Sequence, residues 1–457
     1  MPSQRIFVIG GVAAGPAAAA EAKRVDPDAE VILWEAGSTI SYGACEMPYL
    51  LSGTVSNPGD LVVLTPDQMR ETRGVDARTF HRVTRLLPDR RRIVVEDLAS
   101  GMVREERYDK LVVATGAGVR WPDWPELEGP RIHGFRTLDD AARVRATARQ
   151  AAGRWVVVGG GYIGVEVAEQ LCEAGHRVTL LAPGGLFGSR LTPALQRPVS
   201  EALMGIGVAI RETRAAGVRR DAPGAAVAVR TEDGELVGAD QVVLATGTVP
   251  RVDLAREAGL RIGGTGAISV DAHMRTSSST IWACGDCAEV HHLVSERPVH
   301  MPLSLVAYRT GRTAGRNAAR TGRGHPARYD GVVGTYGVKV AGIEVAMVGL
   351  TESAAREAGF DPVSSTITHA SRASRMPGRE PVHVHLVADR DSRRLLGGQL
   401  VGRDGAALRA NTLVPLLRSR ATVDDLYNLD LLYTPPIAPS LDPLLVAARS
   451  LQKALTA

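Results

Sequence analysis

The chain has 457 residues, too many for one compact core, so we expect about three domains at ~150 residues each. Hydrophobic residues make up 44% and charged residues 23%, as in an ordinary globular protein, and the net charge of +4 is too small to indicate nucleic-acid binding. Four cysteines are too few for a disulfide scaffold, and no uncharged apolar run reaches the ~20 residues of a membrane helix, so we expect a soluble, cytoplasmic protein without a secretory signal.

The first predicted unit is a strand, a glycine turn, a helix and a second strand. Strand 5–9 precedes the turn GGVAAG at 10–15, the helix covers about 16–24, and strand 30–35 ends in Glu35. In such a unit the helix N-terminus faces a pyrophosphate and the acid accepts hydrogen bonds from ribose hydroxyls. The pattern predicts a site for the ADP part of a dinucleotide, with these turn residues around it: Gly10, Val12, Ala13, Ala14 and Gly15.

A short loop with one cysteine follows, SYGACEMPY at 41–49. Cys45 lies between two dinucleotide motifs, which predicts a thiol that exchanges electrons with a bound cofactor. We expect its thiolate at a helix N-terminus, where the helix dipole would lower its pKa. Glu46 beside it would disfavour the thiolate if it pointed inward, and we expect it to point at backbone N–H groups instead.

The same pattern recurs from residue 154. Strand 154–158, the turn GGGYIG at 159–164, a helix to about 174 and strand 176–181 form a second unit, and Gly159, Gly161 and Gly164 fit GxGxxG fully. Each unit closes on a strand ending in Ala-Thr-Gly, at 111–116 and 242–247. This internal repeat predicts two dinucleotide-binding domains.

The acid after the second strand differs between the units. Ala182 stands at the position that corresponds to Glu35. An acid there would repel a 2′-phosphate, so its absence favours NADPH or dual use, with Arg190 as a candidate phosphate contact. The choice between NADH and NADPH stays open.

The remaining chain does not begin a third unit. Strand 280–286 and helix 303–319 are expected to return to the first domain, whereas paired strands in 332–348, strand 382–387 and helices 404–417 and 442–455 predict an α+β domain. We therefore predict an α/β protein with a first domain formed by 1–118 and 248–326, a second by 119–247, and a third by 327–457.

These motifs resemble the flavoprotein disulfide reductase family in its single-cysteine branch, which includes coenzyme A–disulfide reductases, NAD(P)H persulfide reductases, NADH oxidases and NADH peroxidases. The Val in the first turn, the Cys45 loop, the CGD element at 284–286 and the YTPP element at 433–436 carry the resemblance. It implies FAD in the first domain, NAD(P)H in the second, and a C-terminal domain that forms a homodimer.

The resemblance also implies roles for individual residues. Cys45 is the redox center, and Tyr433 reaches the partner's active site as a proton donor. Tyr162 covers the flavin until nicotinamide displaces it, with ordinary packing as the alternative, and Arg24, Ser41 and Ala44 contact the substrate, possible ligands including coenzyme A. The further cofactor residues are Thr115, Gly116, Gly159, Gly161, Ile163, Gly164, Glu166, Gly247, Gly285 and Asp286.

Several residues depart from the family pattern. Glu46 stands where Gly usually follows the redox cysteine, and Arg375 and Met376 stand where coenzyme A–disulfide reductases carry a Tyr pair. Ala13 and Ala14 occupy the turn where oxidases and peroxidases carry a His, which argues against peroxide chemistry of that type.

The sequence thus predicts an FAD-dependent NAD(P)H oxidoreductase that reduces a small-molecule disulfide or persulfide through Cys45. Three alternatives stay open: an oxidase that reduces O₂, a reductase of a ferredoxin- or rubredoxin-like partner, and a flavin-binding sensor. Cys284 and Cys287 form a CxxC pair, but no second metal-ligand pair accompanies it, so we expect no metal site.

Overall fold

The computed structural model describes residues 4–125, 127, 129–220, 227–320 and 325–456. The first unit has a parallel sheet of the strands Ile281–Ala283, Lys110–Val113, Arg5–Ile9, Glu30–Trp34 and Asp76–Arg78, in that order. It also has an antiparallel sheet of the strands His81–Leu87, Arg92–Asp97 and Val103–Arg107. Its elements up to residue 119 are β1 (Arg5–Ile9), α1 (Ala14–Val25), β2 (Glu30–Trp34), α2 (Tyr49–Ser52), α3 (Pro66–Arg73), β3 (Asp76–Arg78), β4 (His81–Leu87), β5 (Arg92–Asp97), β6 (Val103–Arg107), β7 (Lys110–Val113) and β8 (Ala117–Val119).

The second unit repeats this plan with a parallel sheet in the order β12-β11-β10-β16-β9 and an antiparallel sheet β13-β14-β15. Its elements are β9 (Ile132–Gly134), α4 (Leu138–Ala148), β10 (Arg154–Val158), α5 (Tyr162–Glu173), β11 (Arg177–Leu181), α6 (Pro193–Gly205), β12 (Ala209–Arg211), β13 (Ala215–Arg220), β14 (Val227–Thr231), β15 (Leu236–Ala239), β16 (Gln241–Leu244) and β17 (Thr248–Pro250).

The segment after β17 returns to the first sheet, where β18 pairs with β7 in parallel. It consists of α7 (Asp253–Glu257), β18 (Ile281–Ala283), β19 (Val290–His291), β20 (Pro298–Val299) and α8 (Ser304–Ala318). Helix α8 packs closely on α1, because a Cβ at Gly311 or Gly315 would lie 2.3 or 2.0 Å from a carbonyl oxygen of α1. This close packing brings the first turn of α8 beside the glycine turn that follows β1. The exact domain limits stay predictions.

The C-terminal part is an antiparallel sheet in the order β21-β22-β25-β24-β23 with helices against it. Its elements are β21 (Thr335–Val340), β22 (Ile343–Gly349), α9 (Glu352–Ala358), β23 (Pro362–Ala370), β24 (Pro381–Asp389), β25 (Leu395–Gly402), α10 (Ala406–Arg409), α11 (Leu413–Arg418), α12 (Val423–Tyr427) and α13 (Pro443–Thr456).

The predicted fold class is confirmed, with corrections of detail. The expected helix 404–417 is wrong, since a 3₁₀ turn at Ala410–Thr412 divides it into α10 and α11. Pro415 has no N–H to donate to the carbonyl four residues earlier, which weakens a continuous helix there. The strands expected at 111–116 and 242–247 end at Val113 and Leu244, so both Ala-Thr-Gly segments lie beyond the strands. Within the described residues, no helix is long and apolar enough to span a membrane.

Candidate active site

A cleft of about 290 Å³ lies where β1, β2 and β7 end. Parallel strands place the segments that follow them at the same edge of the sheet, so residues distant in sequence meet there. Most residues expected to bind a flavin line this cleft, together with the predicted redox cysteine Cys45 and the predicted substrate residue Ala44. The flavin residues are Gly10, Val12, Ala13, Ala14, Glu35, Thr115, Gly116 and Asp286.

The first glycine turn needs glycine for reasons of space. Gly10 has φ +109°, and a Cβ there would lie 2.1 Å from the Ala114 carbonyl oxygen. A Cβ on Gly15 would lie 1.7 Å from the Gly10 carbonyl oxygen. The turn therefore lies tightly against β7, and α1 begins directly at the cleft, with its N-terminal N–H groups available to an anion.

The Glu35 carboxylate is fixed by the backbone of its own site. One oxygen accepts from the Gly11 N–H and the other from the Gly37 N–H, each at 2.6 Å. A carboxylate has about four acceptor positions, so both oxygens keep capacity for ribose hydroxyls. Glu35 thus both orders the turn and lines the cleft.

The Cys45 thiol does not have the lowered pKa that the sequence suggested. Cys45 lies in a single 3₁₀ turn, Ala44–Glu46, instead of at the start of a longer helix, so little helix dipole acts on it. The residue as a whole is exposed, but the surrounding protein still removes water from the thiol. This desolvation raises the pKa of Cys45, and the carboxylate of Glu166 raises it further, against a lowering by Arg136.

The expectation for Glu46 is also wrong. Its carboxylate folds back over Gly43, where an added Cβ would lie 2.9 Å from a carboxylate oxygen. No side-chain hydrogen bond caps the 3₁₀ turn. The charge of Glu46 adds to the upward shift of the Cys45 pKa, as the smallest of its main causes.

Glu166, on α5, acts on Cys45 from the second unit. Burial raises the pKa of Glu166 to about 7, and the neighbouring Glu169 carboxylate contributes. Glu169 itself accepts a 2.6 Å hydrogen bond from the Ala341 N–H of the C-terminal part. A carboxyl group with a pKa near 7 exchanges protons at neutral pH, so Glu166 is suited to hold a proton close to the thiol.

Asp286 lines the cleft, and its carboxylate is paired with Arg136. Arg136, which was not predicted from the sequence, also donates to the Ala117 carbonyl oxygen at 3.1 Å. Its only local signal is the helix start that follows it, a capping box at Thr137 and Asp140. The other missed residues of the cleft include Ser38, Thr39, Arg251, Pro302 and Ser304.

The second glycine turn has nearly the same geometry as the first. Gly159 has φ +112°, its Cβ would lie 2.3 Å from the Ala245 carbonyl oxygen, and a Cβ on Gly164 would lie 1.8 Å from the Gly159 carbonyl oxygen. A Cβ on Gly161 would meet nothing within 4 Å. This open space beside the start of α5 fits the pyrophosphate of a second dinucleotide.

The remaining predicted nucleotide residues of the second unit lie around this turn. Ile163 packs against the hydrophobic core on α5, and the Gly247 carbonyl oxygen accepts from Arg120. Ala182 is fully buried. Arg190, the candidate 2′-phosphate contact, places its guanidinium 5.3 Å from the ring centroid of Tyr336.

Tyr162 packs in an aromatic group that joins the second unit to the C-terminal part. Its ring stacks on Tyr336 with centroids 5.3 Å apart and 11° between the planes. The ring of Phe187 lies 5.2 Å away at 53°. Tyr162 does not line the first cleft in this conformation.

Three predicted catalytic or substrate residues lie outside the cleft. Ser41 has φ +48° and connects the cysteine loop to the Gly11 carbonyl oxygen through its N–H, at 2.7 Å. Arg24 pairs with the buried Glu21, which Arg312 also contacts. Tyr433 is 55% exposed in the segment between α12 and α13.

The two cysteines of the CxxC pair flank Gly285 and Asp286 in the sequence and lie in the hydrophobic core of the first unit. Cys284 and Cys287 are fully buried free thiols, with pKa values raised by desolvation. In the part of the chain that the structure describes, no group of three or more His, Cys, Asp and Glu residues could hold a metal ion. Gly285, between them, has φ +72° and lies against α1 and α8. A Cβ added to Gly285 would lie 2.7 Å from the Cβ of Ala14.

The chain matches two family models. Residues 4–311 match the model described as pyridine nucleotide-disulphide oxidoreductase, and residues 335–444 match the dimerisation domain of the same family.

Individual relatives match over most of their length. The NAD(P)H coenzyme A polysulfide/persulfide reductase of Pyrococcus horikoshii is 33% identical, with 98% of each chain covered. The structure of an NAD-dependent persulfide reductase from A. fulgidus superposes with a TM-score of 0.93 at 32% identity, over 98% of this chain and 82% of that one. An NADH oxidase of Enterococcus faecalis is 30% identical over 94% of this chain and 95% of its own.

Proposed function

Because the chain belongs to the pyridine nucleotide-disulphide oxidoreductases, we propose that it is an FAD-dependent NAD(P)H oxidoreductase that reduces a small-molecule disulfide or persulfide through Cys45. The observation that carries this proposal is the meeting of Cys45 with Gly10, Glu35 and Asp286 in one cleft. When bound, the flavin would take hydride equivalents from the nicotinamide and pass two electrons to a sulfur–sulfur bond at Cys45.

The residues of the first cleft would bind and orient the flavin. The N–H groups at the start of α1 and the tight turn at Gly10 fit a pyrophosphate, and Glu35 has acceptor capacity for ribose hydroxyls. Asp286 is held by Arg136, which also contributes positive charge close to Cys45. In the second unit, the open space at Gly161 fits the pyrophosphate of NAD(P)H.

Sulfur exchange is the step that Cys45 would perform. Its thiolate attacks one sulfur of a substrate R–S–S–R′, so that a Cys45–S–S–R bond forms and R′S⁻ leaves. The leaving thiolate takes up a proton, and two electrons then release RS⁻ and restore the Cys45 thiolate. Since the pKa of Cys45 is raised in the protein alone, Glu166 and Arg136 are well placed to adjust the fraction of thiolate.

We further propose a homodimer in which Tyr433 of the partner subunit supplies the proton to the leaving thiolate. The match of residues 335–444 to the dimerisation domain supports a dimer. The segment around Tyr433 also carries exposed apolar side chains that a partner would cover, namely Leu432, Ile437 and Leu441.

Coenzyme A disulfide or persulfide is the substrate class that we propose, in line with the names of the relatives. Arg24 is the residue that we assign to a coenzyme A phosphate. It lies with Arg312 and Arg316 around Glu21, so that three guanidinium groups share one carboxylate and leave a local excess of positive charge. Such a cluster suits a phosphate.

Replacement of Cys45 tests the proposal. Under anaerobic conditions with NAD(P)H and coenzyme A disulfide, C45S should lose disulfide reduction by several orders of magnitude, whereas NAD(P)H should still bleach its flavin. C172S is the matched control, because Cys172 is a half-buried thiol whose hydrogen bond to the Ile206 carbonyl oxygen a serine can retain. Disulfide reduction by C45S at the rate of the wild type would contradict the mechanism.

A second candidate function is the reduction of O₂ with NAD(P)H. The 30% identity to an NADH oxidase supports it. Consumption of NAD(P)H in air without any disulfide, at a rate equal to that with disulfide, would favour the oxidase.

A further inference from the structure

We propose that Tyr336 holds Tyr162 across the passage between the two dinucleotide turns, and that this contact weakens the binding of a nicotinamide dinucleotide. The inference rests on the proposed function, because it concerns NAD(P)H at the second turn. We call the contact between these two rings the tyrosine latch.

The position of Tyr162 places the latch between the second glycine turn and the first cleft. Tyr162 is the first residue of α5 and follows Gly161, where the space is open to a pyrophosphate. A dinucleotide bound there has to extend its reactive ring to the first cleft. On the far side of the latch, the Tyr336 hydroxyl donates to the sulfur of Met301, and the next residue, Pro302, lines that cleft. The two rings therefore lie between the second turn and the first cleft.

The two rings differ in how firmly they are held. Tyr336 lies within β21 and pairs with Met347 of β22. The Arg190 guanidinium lies 5.3 Å from its ring centroid, and its hydroxyl is 2.8 Å from the Met301 sulfur. Tyr162 is the first residue of its helix, and among the described residues its hydroxyl contacts the Met347 sulfur alone, at 3.8 Å. When a ligand separates the rings, Tyr162 is thus the one that moves.

The latch is not a pH switch. Burial raises the pKa of both phenols, so both rings stay neutral over the physiological range. The contact between the rings is lost whenever Tyr162 swings away. Since only the open form accepts the nicotinamide, the apparent affinity is reduced by the fraction of molecules that are closed.

Removal of the stacking partner should therefore tighten binding. We would titrate the oxidised holoenzyme with NAD⁺ and with NADP⁺ by calorimetry, for wild type, Y336F, Y336L and Y336A. Y336L and Y336A should bind about threefold to tenfold more tightly than wild type, the size expected for the loss of one aromatic pair. Y336F keeps the ring and should bind within about twofold of wild type.

The control measurement is the thermal unfolding midpoint of each variant without nucleotide. Y336L retains apolar volume, so it decides the question if Y336A does not fold. Equal or weaker binding by a folded Y336L would overturn the latch, because Tyr336 would then either be a bystander or bind the nucleotide itself. A wild-type holoenzyme that binds neither NAD⁺ nor NADP⁺ would refute the proposed function as well as the latch.

Discussion

The two glycine turns have almost the same backbone but different surroundings. Gly10 and Gly159 share φ values of +109° and +112°, and in each turn an added Cβ would lie close to a carbonyl oxygen of the strand-end Ala-Thr-Gly segment. Around the first turn lie Glu35 and Cys45, in an open cleft. At the second turn Ala182 stands at the position that corresponds to Glu35, and an aromatic stack begins directly beside the turn.

The parts that the two turns share are those required to bind a dinucleotide, and the parts that differ distinguish the two sites. The shared backbone provides the tight turn and the helix N-terminus, which any pyrophosphate can use. The residues that differ are side chains on neighbouring strands and loops: Glu35 against Ala182, and the Cys45 loop against the Tyr162 stack. We therefore expect changes to the shared backbone to remove a whole site, and changes to the surroundings to alter only its selectivity or reactivity.

The largest effects should come from equivalent glycines. G10A places a methyl group 2.1 Å from the Ala114 carbonyl oxygen and should yield a colourless protein without flavin. G159A should keep the flavin but weaken NAD(P)⁺ binding about tenfold or more, since strain at such a position costs ~1–3 kcal/mol before the clash is added. Flavin absorbance and calorimetry with NADP⁺ measure the two outcomes.

Gly175 provides the matched control for these two variants. It also has a positive φ, +88°, but an added Cβ would meet nothing within 4 Å. G175A therefore carries the backbone strain without the clash and should retain both nucleotides. Loss of flavin by G159A, or its retention by G10A, would contradict the assignment of the two turns.

A selectivity change of about tenfold should follow from A182E, which gives the second unit the acid of the first. By the correspondence of the units, the new carboxylate should accept from the Gly160 N–H as Glu35 does from Gly11. Its charge would repel a 2′-phosphate, so kcat/KM with NADPH should fall relative to that with NADH. Steady-state kinetics with both nucleotides measures the ratio of the two kcat/KM values. An unchanged ratio would mean that the 2′-position of the bound nucleotide does not lie near residue 182.

The smallest effect, a severalfold change in the rate at which Cys45 is modified, should come from removing the Glu166 charge near its thiol. E166Q removes the carboxylate that raises the pKa of Cys45, so iodoacetamide should modify Cys45 faster at pH 8 than in wild type. Below pH 7 Glu166 is largely protonated, because its own pKa is about 7, and the two rates should converge. Mass spectrometry of the Cys45 peptide measures the rates.

Glu46 offers a comparison for this last variant. Of the three carboxylates that raise the pKa of Cys45, Glu46 has the smallest influence, so E46Q should accelerate modification in the same direction but less than E166Q. A larger effect of E46Q, or a ratio for E166Q that does not change between pH 6 and pH 8, would show that Glu166 does not control the thiol.

Features that depend on local backbone chemistry could be predicted from the amino-acid sequence. The strand Arg5–Ile9 is found exactly as predicted, because a short apolar run before a glycine turn is a buried parallel strand. The two glycine turns were predicted from the spacing of their glycines, and in the structure a Cβ at Gly10, Gly15, Gly159 or Gly164 would lie within 2.3 Å of a carbonyl oxygen. The family and the fold class followed from two such units and one cysteine loop.

The electrostatics of the cleft and the contacts between units could not be predicted, because they depend on how distant parts of the chain pack. Arg136 lies in the second unit yet pairs with Asp286 of the first, and no spacing in the sequence relates them. The pKa of Cys45 is raised although the motif suggested the opposite, since burial and a carboxylate 121 positions along the chain outweigh a single 3₁₀ turn. Desolvation, charge and stacking depend on distances through space, and those exist only once the three parts of the chain have packed together.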